Sequence, residues 1–107
     1  MPLAKQIAQK IHAVTEAFPG KENERYRDLI DLALLSTLKP ASAELREVCE
    51  ETFQVRDKHG WPPSIVAPAS WREPLERMAG ELGLAQHNAD AIIDHVQQYV
   101  IDIANAS

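Results

Sequence analysis

The sequence predicts an all-α fold: a single-domain bundle of about five helices, with a proline-rich extended strap between the third and the fourth. Three observations predict it. Apolar residues recur every three or four positions along most of the 107-residue chain. Prolines and glycines punctuate the chain into five segments. One segment is apolar on nearly every face, the pattern of a helix surrounded by others. The length suffices for one modest core and is too small for two. With 6% aromatic residues and four glycines, the composition argues against a many-turned β-sandwich.

The first helix is predicted from about Leu3 to Phe18, closed by the breaker pair Pro19-Gly20. Leu3, Ile7, Ile11, Val14 and Phe18 fall within a sector of roughly 80° at 100° per residue. Pro2 suits the first turn, where a missing N–H costs nothing. The second helix runs from about Asn23, its expected N-cap, to Leu38, with Pro40 ending it. Its run Leu29-Ile30-Asp31-Leu32-Ala33-Leu34-Leu35 places it at the centre of the bundle. The third begins at Ser42 as N-cap, with Glu44 and Glu47 early where carboxylates suit the helix dipole. Leu45, Val48, Cys49, Thr52 and Phe53 form its buried face, and Gly60 is the expected stop.

Three prolines within Trp61–Pro68 exclude a helix there. An extended strap is expected, pinned to the bundle by Trp61, Ile65 and Val66. Ser70-Trp71-Arg72-Glu73 reads as a capping box opening a fourth helix, with Pro74 tolerable in its first turn. Leu75, Met78, Ala79 and Leu82 are its stripe and Gly83 its stop. The fifth helix begins near Asn88 and carries Ile92, Ile93, Val96, Tyr99, Val100 and Ile103 at helical spacing.

Charge and composition narrow the function. Sixteen acidic against eleven basic residues give a formal charge of −5, which argues against non-specific nucleic-acid binding as the main activity. No apolar run reaches the length of a membrane span, and the N-terminus lacks the layout of a secretory signal. A cytoplasmic chain is therefore expected. The single cysteine, Cys49, excludes an internal disulfide framework and cannot build a zinc site alone. It reads as a buried, inert small hydrophobe. No zinc-type spacing links it to His59, His87 or His95, and packing accounts for Trp61 and Trp71.

Two features sit oddly on these helices. Lys10 lies within about 60° of the middle of the first apolar stripe. It is either a snorkelling lysine covering apolar surface or a cation held at a pocket edge for a phosphate. His12, by the same count, points to solvent. Asp28 and Asp31 share one side of the central helix at i, i+3, beside Leu32 and Leu35. They are either ion-paired with Arg25 and Arg27 or supply a general base or a metal-associated carboxylate.

At these positions the chain resembles a known family. Gln9-Lys10-Ile11-His12-Ala13, then Phe18-Pro19, then Arg25-Tyr26-Arg27-Asp28-Leu29-Ile30-Asp31-Leu32 resembles the AbiEii/AbiGii-type nucleotidyltransferase toxins of abortive-infection, bacterial toxin–antitoxin systems. Trp61-Pro62-Pro63, Ser70-Trp71-Arg72-Glu73-Pro74 and the last helix resemble that family's C-terminal region. The likeness spans roughly Ala4 to Ala104, and the order and spacing of the motifs carry it. It implies that Lys10 contacts nucleotide phosphates, with Arg27 beside it. It implies that Asp28 acts as a base or active-site carboxylate and that Asp31 is its structural follower. Gln9 stands where the family has Glu, and Arg27 where it has Lys, which exchanges a point donor for a planar fork.

The family's Gly-Ser segment and Asp-x-Asp metal-binding strand have no counterpart in these residues. Residues 1–107 are therefore expected to form one helical domain resembling the C-terminal half of such an enzyme, truncated or separately encoded and inactive alone. No metal or cofactor is expected for this chain by itself. Mg²⁺, a nucleoside triphosphate and an RNA acceptor belong to a completed enzyme. The expected partners are a second copy, the missing half or an antitoxin, and no membrane. The alternatives are a non-enzymatic helical interaction module and one half of a split nucleotidyltransferase.

Overall fold

A computed structural model describes residues 2–15, 25–56, 60–84 and 88–106. Five α-helices follow in order: α1 (Leu3–Thr15), α2 (Tyr26–Leu38), α3 (Ala43–Arg56), α4 (Arg72–Leu82) and α5 (Ala89–Ala104). The described residues contain no strand. The Cα radius of gyration, 13.1 Å, is that of one compact domain of this length. The expected all-α bundle is the observed fold.

Helix α2 lies against α1, α4 and α5, which makes it the central helix. Leu29, Ile30 and Leu32 are inaccessible to solvent. Its apolar surface is nevertheless not all covered, for Leu34 is 38% and Leu38 72% exposed. The helix starts at Tyr26, where the Arg25 carbonyl accepts from the Asp28 and Leu29 amides. The expected N-cap, Asn23, lies outside the described residues, as do Phe18, Pro19-Gly20, His59 and His87.

Helix α1 packs on both α2 and α3 and so buries a wider arc than its large apolar residues mark out. Ala4, Ala8 and His12, spaced by four, form a second buried row beside Ile7, Ile11 and Val14. His12 therefore does not point to solvent. It is 1% exposed, with its ring edge-on to Phe53 of α3 at 5.0 Å. Two alanines at i−4 and i−8 were the signal for that burial, because small side chains let helices approach closely.

The helix ends follow their local chemistry with one exception. Ser42 Oγ accepts the Leu45 amide at 3.2 Å, and Asn88 Oδ1 accepts the Ala91 amide at 2.7 Å. Gly83 closes α4 in the left-handed region at φ 67°, where a side chain would be strained. The Leu84 amide then reaches back to the Ala79 carbonyl. The capping box at Ser70 is not formed. A 3₁₀ turn over Ala69–Trp71 precedes α4, so Ser70 lies inside helical backbone and Trp71 occupies the N-cap position without a side-chain cap. Helix α3 is described as far as Arg56, and residues 57–59, which precede the expected stop at Gly60, lie outside the described residues.

The segment 61–68 is non-helical, as its prolines require, with a cis Trp61–Pro62 bond. Trp61 packs on Phe53 at 5.2 Å between ring centroids, and Ile65 is buried. Val66 does not anchor it, being 81% exposed. The anchor is Gln97 of α5, whose Oε1 accepts the Ile65 amide at 2.7 Å and whose Nε2 donates to the Pro63 carbonyl at 3.3 Å. One side chain thus satisfies two backbone groups that prolines leave without a ladder partner.

Cys49 is fully buried on α3. Burial, and secondarily the charge of Glu50, push its thiol up to about 12 from 9.0. The native protein is therefore expected to resist a thiol-specific reagent at pH 8 and to react once unfolded in denaturant. Fast labelling of the native chain would contradict that burial.

Candidate functional site

The misplaced lysine and the two aspartates meet. Lys10, in the third turn of α1, sends its ammonium between two carboxylates near the start of α2, 3.3 Å from Asp28 Oδ1 and 3.0 Å from Asp31 Oδ2. The i, i+3 spacing of the aspartates puts both on the side of α2 that α1 covers. Lys10 reaches them because its Cα lies at the edge of the α1 stripe, with the stem passing over the helix interface. The ammonium is thus turned to two carboxylates of the neighbouring helix.

Arg25 completes the cluster from the turn before α2, with Nη1 3.3 Å from Asp28 Oδ2. Asp28 therefore accepts on both oxygens, from Lys10 on one and Arg25 on the other, and at 19% side-chain exposure it is the most enclosed member. Arg25 had counted only as an ion-pair partner in the sequence; the structure makes it part of the site. Arg27 sits on the exposed part of α2, its guanidinium 5.9 Å from the centroid of the Tyr26 ring.

Two cations and two carboxylates make this cluster formally neutral. Burial disfavours the Lys10 ammonium, but hydrogen bonding and charge from Asp31, followed by Asp28, outweigh it, so its pKa lies above the usual 10.5. Lys10 is thus protonated at every physiological pH. An ammonium has three N–H donors, and the two aspartates take two, leaving one for an anionic oxygen. Arg25, half exposed, adds a fork suited to the same kind of oxygen.

Among the described residues no group of three His, Cys, Asp or Glu side chains is placed to hold an ion. The ammonium itself stands within 3.3 Å of both carboxylates, where a cation bridging them would sit. His95, on α5, is engaged elsewhere, with Nε2 2.8 Å from Ser36 Oγ. None of the described helices is long and apolar enough to cross a membrane.

The family model of the nucleotidyl transferase AbiEii toxin, from type IV toxin–antitoxin systems, matches residues 1–100. The chain belongs to that family. No curated protein matches it in sequence. Membership in a toxin–antitoxin family implies an antitoxin as the class of partner.

Proposed function

We propose that these 107 residues are the helical, C-terminal part of an AbiEii-type nucleotidyltransferase toxin and that they transfer no nucleotide by themselves. In this reading Lys10 meets the nucleotide phosphates, Arg25 and Arg27 add positive charge nearby, Asp28 serves as the active-site carboxylate, and Asp31 steadies the lysine. The observation that carries it is the convergence of Lys10, Asp28 and Asp31 within 3.3 Å, from two separate helices. Phosphoryl-type transfer is largely positioning and charge stabilisation around bound divalent metal. The cluster supplies the positioning cation, and the metal carboxylates must come from residues other than these. Mg²⁺ and a nucleoside triphosphate enter only in that completed, cytoplasmic enzyme, with RNA as acceptor and an antitoxin as regulator.

The test is a transfer assay with labelled nucleoside triphosphates, Mg²⁺ and RNA. The chain alone is expected to give no labelled product, and co-expression with a segment bearing the Gly-Ser and Asp-x-Asp motifs is expected to give it. Robust labelling by the isolated chain, abolished by Lys10→Ala, overturns the claim of inactivity. A completed enzyme indifferent to Lys10→Ala overturns the site.

A further inference from the structure

The C-terminal half of α2 and the facing side of α5 enclose a cleft of about 250 Å³ that the Lys10 cluster does not use. Its hydrogen-bonding groups have an uneven balance. Ser36 Oγ donates its hydrogen to the Ala33 carbonyl at 2.7 Å, and Thr37 Oγ1 donates to the Leu34 carbonyl at 2.8 Å. The Tyr99 hydroxyl donates to the Lys39 carbonyl. Gln98 Nε2 donates to Asp102 Oδ1 at 2.9 Å. Ser36 Oγ also lies 2.8 Å from His95 Nε2, so the two side chains hydrogen-bond to each other across the cleft. Apart from the second hydrogen of Gln98 Nε2, these donors are spent on the protein. The capacity left over is otherwise that of acceptors: hydroxyl lone pairs, the Gln98 carbonyl and the second oxygen of Asp102.

Charge points the same way. Asp102 gives the cleft a carboxylate, and among the described residues no lysine or arginine lines it. Lys39, next to it in sequence, is paired with Glu44 at 3.1 Å. Pro40, Ala41 and the Tyr99 ring supply apolar wall. An apolar cavity of about 150 Å³ accommodates a benzene ring. The larger volume here admits a short hydrocarbon stem together with a polar head.

We infer that the cleft between Ser36 and Asp102 is a second ligand site, taking a protonated amine or guanidinium carried on a short apolar stem. The head donates to Asp102 and the neighbouring acceptors, and the stem lies along Pro40, Ala41 and Tyr99. The same chemistry comes from a free amine or from an arginine side chain of a bound peptide. The inference stands apart from the nucleotidyl-transfer reading, because it uses none of the residues that reading needs.

Two probes, agmatine and a capped tripeptide bearing one arginine, are titrated at millimolar concentration into the full chain, followed by calorimetry and amide NMR shifts. Saturable binding is expected, with shifts centred on Ser36, Thr37, Gln98 and Asp102. Asp102→Asn, an isosteric change at an exposed site, is expected to weaken it about tenfold or more, as loss of a charge-assisted hydrogen bond does. Glu81→Gln, which removes an exposed carboxylate from α4, is expected to leave it unchanged. Tighter binding of agmatine assigns the site to free amines, and tighter binding of the tripeptide assigns it to a peptide side chain. No saturable binding of either probe overturns the inference, as does equal weakening by Asp102→Asn and Glu81→Gln, which would mark general attraction to an acidic protein.

Discussion

Lys10→Ala is expected to lower nucleotidyl transfer by the completed enzyme about 10²–10³-fold, the usual cost of removing one positioned donor from a developing negative charge. The fold should hardly notice. The lysine side chain is 29% exposed, its pairs with Asp28 and Asp31 are partly solvated, and such pairs contribute about 0–1 kcal/mol. Alanine also has the higher helix propensity, which offsets part of that loss. Asp28 keeps Arg25 after the substitution, so no carboxylate is stranded without a cation. Thermal melts of the variant should therefore overlay those of the parent at neutral pH while the rates diverge. The pH dependence of the ion pair's contribution appears only at alkaline pH. Because the folded state holds the Lys10 proton more tightly than the unfolded chain, its contribution is complete below 10.5 and disappears as pH rises beyond that value. Lys10→Arg preserves charge but not the compact point donor between two carboxylates, so partial activity is expected. Arg27→Ala, which removes a more exposed charge over Tyr26, should lower the rate less than Lys10→Ala does. A variant at Arg27 as damaged as one at Lys10 would move the centre of the site along α2.

Periodicity made the helices legible because large apolar residues recur at helical spacing and prolines and glycines divide the chain between them. It failed where burial or capping depended on something other than the large apolar residues. His12 is buried because α1 has two neighbours, and the second buried row consists of alanines, which a count of large side chains passes over. Ser70 has the sequence of a cap but lies in a 3₁₀ turn that starts one residue earlier. Val66 and Gln97 exchange the roles that hydrophobicity alone assigns, since the strap's backbone amides need a polar anchor more than it needs another apolar contact. The site was legible in the same partial way. Lys10, Asp28 and Asp31 stood out as charges on the edge of apolar stripes, and the family likeness tied them to one chemistry. That they meet, and that Arg25 joins them, depends on how α1 lies on α2, and no local pattern carries that information.

The site's geometry depends on α2, so the largest stability effect should also reach it. Ile30→Ala is expected to destabilise the domain by about 2–5 kcal/mol, combining the lost transfer of a buried side chain with the cavity left behind. Ile30 is wholly inaccessible, and α2 is packed against three other helices that close over it from different directions. A fully buried site relaxes poorly, which favours the upper half of that range. Domains of this size have about 5–15 kcal/mol in total, and each kcal/mol is worth about 4–8 °C of melting temperature. A drop of about 15–40 °C follows, against little change for Leu34→Ala, whose side chain is already 38% exposed. Denaturant titrations of the two variants give the comparison directly. Ile30 also lies between Asp28 and Asp31 in the chain, so any settling of α2 into the cavity moves both carboxylates relative to Lys10. Below its lowered melting temperature, Ile30→Ala should therefore lose activity in the completed enzyme beyond what its folded fraction explains. Equal destabilisation by Ile30→Ala and Leu34→Ala would remove α2 from the centre of the bundle, and with it the reason that the two aspartates face α1.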